Sequence, residues 1–263
     1  MKIELNGESV FYSTGSGKPA DNAPTLVFVH GAGFDHSIWV MPARYFARHG
    51  WRVVAVDLPG HGRSGGALLT SIDQMADWVA QLIVAVSSDQ QASVVGHSMG
   101  SLIAMSLAAR YPDNVAKIAL LGTSAPMPVS DVLLNAAMDN DQAAVDMTNV
   151  WSHSAKGRLG SSENPGLSNL HVGERLLQQA GRDVLYTDLA ACNGFQAEAL
   201  VPVQQPALVI IGDDDKMTPP RAGMAVAESL TDVRQRRLPG CGHSMLSEKP
   251  NEVLDELAGF LLL

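Results

Sequence analysis

Residues 94–101, with the sequence VVGHSMGS, decide the fold class of this 263-residue chain. A β-branched run before the pattern indicates a strand, and the apolar run 102–109 after it indicates a helix. Between them, Gly96, Ser98 and Gly100 form G-x-S-x-G, which is typical of a serine held on a tight strand-to-helix turn. A side chain at either flank would crowd that turn. The pattern predicts that Ser98 is a nucleophile above a sheet, and a serine that only caps the helix is the alternative.

Short apolar runs alternate with helical patterns on both sides of this turn. A hairpin is predicted over residues 2–13, and the predicted strands that follow are 25–29, 53–56, 93–95, 118–121, 207–211 and 234–238. Helical patterns begin near Ser71, after Ser98, near Thr218 and near Asn251. This alternation predicts an α/β fold with a mostly parallel central sheet and helices on both faces. Chemistry is expected at the carboxyl ends of the strands.

No strand pattern occurs from about residue 126 to residue 200. Helices are predicted at 131–137, 142–151, 170–180 and 184–192, which indicates a helical cap (126–200) inserted into a core domain (1–125 and 201–263). The polar stretch 152–169 is expected to be mobile, and a gating lid is the alternative. The cap holds nine acidic and four basic residues, which we interpret as a solvated outer face. A bias against anionic substrates is the alternative interpretation.

Composition excludes several classes of protein. The net charge of −9 argues against a nucleic-acid partner, because phosphate binding needs clustered Lys and Arg. The chain has no apolar run long enough to span a membrane, and its first residues lack the apolar core of a signal peptide. Two cysteines cannot form a disulfide framework or a thiolate zinc site, which favours a cytoplasmic location. The sequence leaves the oligomeric state open.

A serine hydroxyl becomes a good nucleophile only when a base takes its proton, and a buried acid must orient that base. Three histidines follow the serine turn: His153, His171 and His243. The first two lie in the predicted cap. His243 lies in a glycine-rich loop after the last predicted strand, at the end of the sheet where chemistry is expected. His243 is therefore the predicted base.

The acid is expected between the serine and the base in sequence. Asp213, Asp214 and Asp215 directly follow a buried strand, but three adjacent carboxylates cannot all point at one histidine. Asp215 is the predicted acid because the chain there turns toward a predicted helix cap at Thr218. The other two are expected to be solvated or to cap the helix. Residues 122–124, after the preceding strand, offer no carboxylate.

Hydrolysis also needs hydrogen-bond donors for the oxyanion that develops in the transition state. The Met99 N–H lies just after the serine, at a helix N-terminus that favours negative charge. The second predicted donor is the Ala32 N–H in the loop after the first buried strand, with Gly33 as the fallback. Small residues in this loop let the substrate carbonyl approach the backbone, so Gly33 is also a predicted substrate-binding residue.

The substrate pocket is predicted from methionines, whose side chains adapt to irregular apolar shapes. Four lie in loops at the active end of the sheet, namely Met99, Met127, Met217 and Met245. Trp151 or Phe195 of the cap would complete an apolar pocket. Generic apolar filling is the alternative in a chain with 11 methionines.

Five stretches in this order resemble the α/β-hydrolase-fold serine hydrolases over essentially the whole chain: 30–33, 57–64, 96–100, 212–219 and 240–243. The resemblance implies acyl transfer to Ser98 with His243 as base, then attack of water on the acyl-enzyme. It implies no metal and no organic cofactor. His30 and Asp57 belong to family loops and are interpreted as structural. Many relatives carry glycine where this chain has Ser101, a departure that could alter helix packing.

The resemblance leaves several functions open. The first hypothesis is a carboxylic ester hydrolase for small, uncharged or apolar esters. An enol-lactonase, a C–C bond hydrolase and a cofactor-free perhydrolase would use the same three residues. A ligand-binding protein without turnover is the alternative from another class. A serine nucleophile disfavours haloalkane dehalogenases and epoxide hydrolases, which use an aspartate.

Overall fold

The computed structural model describes residues 1–87, 89–160, 166–196 and 202–262. One sheet holds eight strands across these residues: β1 (Lys2–Leu5), β2 (Glu8–Ser13), β3 (Thr25–Val29), β4 (Arg52–Val56), β5 (Ala92–His97), β6 (Val115–Leu121), β7 (Ala207–Gly212) and β8 (Val233–Leu238). Their order in the sheet is β1-β2-β4-β3-β5-β6-β7-β8.

The first two strands are antiparallel, and β2 also runs antiparallel to β4. All other neighbours are parallel. Every residue of β3, β5 and β7 is buried, as expected for strands covered on both faces. The carboxyl ends of the parallel strands therefore share one edge, and the predicted α/β fold with a mostly parallel sheet is confirmed.

Helices cover both faces of the sheet. α1 (Val40–Arg48) and α11 (Pro250–Leu261) pack on one face, and α2 (Ile72–Val86), α3 (Met99–Arg110) and α9 (Pro220–Ser229) contribute to the core of the other. A short helix, α10 (Met245–Glu248), precedes α11. Helix α9 begins at Pro220, and its N-cap is Pro219, one residue after the predicted cap at Thr218. Thr218 instead donates its backbone N–H to Asp215 Oδ1.

The described residues between β6 and β7 form five helices: α4 (Asp131–Met138), α5 (Gln142–Ser152), α6 (Ala155–Arg158), α7 (Asn169–Gln179) and α8 (Val184–Asn193). The described residues of this stretch contain no strand. The exact division into core and cap stays a prediction, and residues 197–201 at its second boundary lie outside the described residues.

The stretch 152–169, predicted to be mobile, differs in part from that expectation. It contains the short helix α6, and the Ser244 N–H donates to the Ser152 carbonyl at 2.8 Å. The Ser154 N–H donates to the carboxylate of Glu248 at 3.1 Å. These bonds hold the beginning of the stretch against the loop after β8 and against α10, while residues 161–165 lie outside the described residues.

Across the described ranges, no helix combines the length and the apolar character needed to cross a bilayer.

Candidate active site

The serine turn has the strained geometry that its sequence predicts. Ser98 lies between β5 and α3 with φ 54° and ψ −119°, a left-handed conformation that is rare outside glycine. A Cβ on Gly96 would overlap the Gly100 carbonyl, and a Cβ on Gly100 would overlap the Val29 carbonyl. Both glycines are therefore required by close backbone approach, and Ser98 remains partly exposed at the tip of the turn.

His243 and Asp215 form a buried pair. The His243 Nδ1–H donates to Asp215 Oδ2 at 2.8 Å, and each residue is only 4% exposed. The other carboxylate oxygen, Oδ1, accepts the backbone N–H groups of Met217 at 2.9 Å and Thr218 at 2.8 Å. The Thr218 hydroxyl also donates to Oδ2 at 2.7 Å. Four donors therefore hold this carboxylate in one orientation.

These donors keep Asp215 ionised. Burial by itself would raise the pKa of Asp215, but His243 and the hydrogen bonds from Thr218 outweigh burial and lower this pKa below its usual value. An ionised carboxylate can only accept, so the facing Nδ1 of His243 carries the proton. The second ring nitrogen, Nε2, then keeps a lone pair and can act as a base.

The serine turn and the His243 loop meet at the end of β6. The Ser98 N–H donates to the Leu121 carbonyl at 2.9 Å, and a Cβ on the next residue, Gly122, would lie 3.0 Å from His243 Nδ1. His97 Nε2–H donates to the His243 carbonyl at 2.9 Å, with the two ring centroids 4.8 Å apart. Among the described residues, no hydrogen bond joins Ser98 Oγ to His243. Such bonds are often long in ligand-free sites and shorten in the complex.

Two backbone N–H groups beside Ser98 have no acceptor within the described part of the chain. Met99 is the first residue of α3, where an N–H has no partner inside the helix. In the turn 31–34, the Phe34 N–H donates to the Gly31 carbonyl and the Gly33 N–H donates to Asp188 Oδ2 at 2.8 Å. Ala32 N–H is left over in this turn. The fallback donor Gly33 is thus already engaged, whereas Ala32 and Met99 can both receive an oxyanion.

Ala32 and Ser98 line one cavity of about 190 Å³. Of the predicted pocket residues, Met127, Trp151 and Met217 line it, and further walls come from Val129, Leu133, Leu189 and Cys192. A larger cavity of about 290 Å³ lies among α4, α5 and α7 and includes none of the predicted site residues.

Four predicted pocket residues lie elsewhere. The Met99 side chain is fully buried in the core on the α3 face of the sheet. Met245 is fully buried in the core on the α11 face of the sheet, and Phe195 is packed into the opposite core. Gly33 faces the side chains of Leu177 and Leu185. Their positions differ from the predicted ones because an apolar residue near a strand end can pack into the core as readily as into a pocket, and the sequence pattern does not distinguish the two.

Asp188 is a buried acidic residue that the sequence analysis placed on a solvated face. It lies on α8 and is fully buried. His61 Nε2–H donates to Asp188 Oδ2 at 2.9 Å, the same oxygen that accepts from Gly33. The pair joins residues 127 positions apart in the chain. Only the apolar residues around Asp188 in α8 could have indicated its burial from the sequence.

His30 and Asp57 organise loops, in keeping with their structural interpretation. Asp57 is fully buried and accepts from the backbone N–H groups of His36 and Arg63. His36 Nδ1 lies 2.7 Å from Asp57 Oδ1. Asp35, His36 and Asp57 are close enough to share a metal ion, but these hydrogen bonds already account for their arrangement. His30 bridges the loops by bonding the Gly31 carbonyl and the Leu58 N–H.

The same architecture occurs in known proteins. A family model described as the alpha/beta hydrolase fold matches residues 24–250. A pimeloyl-[acyl-carrier protein] methyl ester esterase of Aromatoleum aromaticum is 30% identical over 246 residues, which cover 88% of this chain and 95% of that relative. A 2-hydroxy-6-oxononadienedioate/2-hydroxy-6-oxononatrienedioate hydrolase of Paraburkholderia phymatum is 29% identical over 253 residues, covering 89% of this chain and 83% of the relative.

Among solved structures, the enol-lactonase of Burkholderia xenovorans LB400 superposes with a TM-score of 0.87 and 23% identity. The alignment covers all of both chains, and at this identity it speaks for the fold alone. The relatives of this sequence thus include esterases and other hydrolases. The chain belongs to the alpha/beta hydrolase fold family and is a hydrolase.

Proposed function

We propose that this hydrolase cleaves carboxylic esters through Ser98, His243 and Asp215. The observation that carries the proposal is the buried His243–Asp215 pair, 2.8 Å apart, in a loop that meets the strained Ser98 turn. The same site offers two unengaged N–H donors, from Ala32 and Met99. Each component of a serine hydrolase site is thus supplied by this chain.

In the first half of the reaction, His243 Nε2 takes the proton of the Ser98 hydroxyl as Oγ attacks the ester carbonyl carbon. The carbonyl oxygen becomes an oxyanion and accepts hydrogen bonds from the N–H groups of Ala32 and Met99. His243 then gives its proton to the leaving alkoxide, and the C–O bond breaks. An alcohol leaves, and the acyl group stays on Ser98.

In the second half, water replaces the alcohol. His243 takes one proton from water as its oxygen attacks the acyl carbon, and the same oxyanion donors receive the negative charge. Collapse of this intermediate returns a proton from His243 to Ser98 Oγ and releases the carboxylic acid. Asp215 keeps the imidazole in the tautomer that both halves need and stabilises its transient positive charge.

The cavity beside Ser98 supports small substrates with an apolar acyl group. Its walls include Met127, Leu133, Trp151 and Leu189, and its volume of about 190 Å³ suits a short chain or a single ring. Methionine and tryptophan side chains can follow different acyl shapes. The esterases among the relatives agree with ester chemistry.

The test is labelling by a fluorophosphonate probe, followed by hydrolysis of p-nitrophenyl esters of increasing acyl length. Ser98→Ala should abolish both labelling and hydrolysis. Ser229→Ala is the matched control, because Ser229 is an exposed serine at the end of α9 that does not line the cavity, and it should leave both intact. Rates should rise with acyl length and then fall when the chain outgrows the cavity. An unlabelled wild-type protein, or a labelled Ser98→Ala variant, would contradict the proposal.

Lys216 favours a second candidate function, which would use the same three residues Ser98, His243 and Asp215. Lys216 is the one charged side chain among the described residues that line the Ser98 cavity. A relative is named for hydrolysis of an oxononadienedioate, a substrate with two carboxylates. The second candidate is therefore cleavage of a lactone or a C–C bond in a carboxylate-bearing substrate. Lys216→Met should then raise KM for such substrates while leaving neutral esters unaffected.

A further inference from the structure

The Asp188–His61 pair bridges the cap and the core next to the proposed oxyanion donors. Asp188 lies on α8, while His61 lies in the loop after β4. Both side chains are buried, at 0% and 3% exposure. The neighbours of Asp188 on the same helix, Leu189 and Cys192, line the Ser98 cavity. Helix α8 thus provides both a wall of the cavity and the carboxylate that reaches into the core.

Asp188 contacts the turn 31–34, which carries the proposed oxyanion donor Ala32. One oxygen, Oδ2, accepts from the Gly33 N–H at 2.8 Å and from His61 Nε2–H at 2.9 Å. The other oxygen, Oδ1, is buried and has no partner in the described part of the chain. Because the Gly33 N–H belongs to the peptide that joins Ala32 to Gly33, its bond to Asp188 orients that peptide.

The other side of the same turn is also held. The His30 Nδ1–H donates to the Gly31 carbonyl at 2.9 Å, and the Phe34 N–H donates to that carbonyl at 3.2 Å. Gly33 adopts φ 71°, so the turn depends on an unusual backbone conformation. His30 thus restrains the first peptide of the turn from the core, and Asp188 restrains the peptide after Ala32 from the cap.

We propose that Asp188 is a positioning residue for ester hydrolysis, which aims the Ala32 N–H at the oxyanion by holding the Gly33 N–H. This inference rests on the function proposed above. His61 orients Asp188 and does not act as a base, because its other nitrogen, Nδ1, donates to the Pro59 carbonyl at 3.0 Å. The oxyanion site is complete only when α8 of the cap is seated on the core.

The arrangement explains why a carboxylate is buried at this point. A buried carboxylate is costly unless hydrogen-bonded donors surround it, and His61 and Gly33 supply two donors. Burial by itself would lower the pKa of His61, but the Asp188 carboxylate and its hydrogen bond outweigh burial and raise that pKa. Among the other groups that face His61, Asp57 favours its charged form, and the His30 ring lies tilted against it with the ring centroids 4.8 Å apart.

The experiment compares three variants on p-nitrophenyl butyrate. Asp188→Ala should lower kcat at least about tenfold, since loss of a whole oxyanion donor costs about 10²–10³ in kcat and misalignment costs less. KM should change by less than about threefold, because substrate binding in the ground state does not use this donor. Asp188→Asn keeps an acceptor oxygen for Gly33 and should restore kcat to within about threefold of wild type. Thr187→Ala, on the same helix, is the control and should match wild type.

A second readout does not depend on activity. In ¹H–¹⁵N spectra, the Gly33 amide proton should move upfield in Asp188→Ala and stay near its wild-type position in Asp188→Asn. Wild-type kcat in Asp188→Ala, or an unmoved Gly33 amide, would overturn the inference. If the wild-type protein hydrolyses no ester, the proposed function fails. In that case, the amide shifts of Gly33 and Ala32 still decide whether Asp188 holds the turn.

Discussion

Two buried histidine–aspartate pairs lie at the active end of the sheet, and they differ in what the second ring nitrogen does. His243 meets Asp215 at 2.8 Å, and His61 meets Asp188 at 2.9 Å. His61 uses its other nitrogen to bond the Pro59 carbonyl, so it has no lone pair to offer. The Nε2 of His243 has no such bond to any residue that the structure describes. The distance between acid and imidazole is therefore a poor guide to chemistry, and the fate of the other nitrogen is a better one.

The acids of the two pairs differ as well. Asp215 accepts four hydrogen bonds from three residues that are near one another in the fold, and two of those residues follow it directly in the chain. Asp188 accepts two bonds on one oxygen, both from residues more than a hundred positions earlier in the chain. The first pair is thus held by its own loops. The second pair exists only because α8 packs against the loops after β3 and β4.

The largest expected difference between the pairs is in turnover. His243→Ala should lower kcat about 10⁴-fold or more, because the serine then loses its base. His61→Ala should lower kcat only about tenfold, because His61 acts indirectly, by orienting the Asp188 side chain that holds the turn 31–34. Steady-state kinetics on p-nitrophenyl butyrate measure both. Equal losses in the two variants would remove the functional distinction between the pairs.

The order should reverse when stability is measured. His61→Ala leaves Asp188 buried with a single donor, and an unpaired buried charge typically costs about 3–5 kcal/mol. His243→Ala should cost less, because Asp215 keeps the two backbone donors and the Thr218 hydroxyl. Urea unfolding at pH 7.5 compares the variants. A smaller loss of unfolding free energy in His61→Ala than in His243→Ala would show that the Asp188–His61 pair does not stabilise the fold in this way.

Each pair also has a second buried histidine whose ring lies tilted against the paired imidazole, His30 beside His61 and His97 beside His243. These two histidines predict a loss of stability at acidic pH. Burial, with a smaller contribution from the neighbouring imidazole, lowers the pKa of His30 to about 4 and that of His97 to about 3. Both pKa values lie below the unfolded value of about 6.5, so the unfolded chain binds these protons first. Stability should therefore fall as the pH drops below about 6.5, by about 2 kcal/mol per histidine at pH 5.

His61 opposes this loss in part, because its raised pKa favours the folded state at acidic pH. The test is urea unfolding at pH 7.5 and pH 5. His97→Gln should lose a substantial part of the pH dependence, whereas the exposed His171→Gln should behave as wild type. An unchanged pH dependence in His97→Gln would contradict the assignment.

The smallest expected effect concerns Thr218, which supports the first pair from the side. Its hydroxyl donates to Asp215 Oδ2 at 2.7 Å and lies 3.2 Å from His243 Nδ1. Thr218→Val keeps the shape and the backbone donor but removes the hydroxyl, which is worth about 1 kcal/mol. We expect a loss of about fivefold in kcat with KM nearly unchanged. Thr218→Ser should retain most of the activity, and a loss as large as in valine would attribute the effect to packing.

Local patterns carried much of the prediction. The strand before Ser98, the flanking glycines and the helix after it are all encoded in the continuous stretch 92–110, so the strained turn could be anticipated. The predicted parallel sheet is confirmed because buried parallel strands read as continuous apolar runs. Placing Asp215 and His243 needed only the further rule that strand ends of a parallel sheet meet at one edge.

The sequence by itself determined the α/β fold, the serine turn and the loops from which an acid and a base would come, because each is marked by a local pattern of apolar runs, glycines and polar loop residues. The tertiary structure alone decided that Asp188 is buried, that Met245 lies in the core and that Thr218 supports Asp215. The sequence of α8 is compatible with either an exposed or a buried Asp188. Only the packing of α8 against the loops after β3 and β4 brings His61 and Gly33, each more than a hundred residues away, onto one carboxylate oxygen.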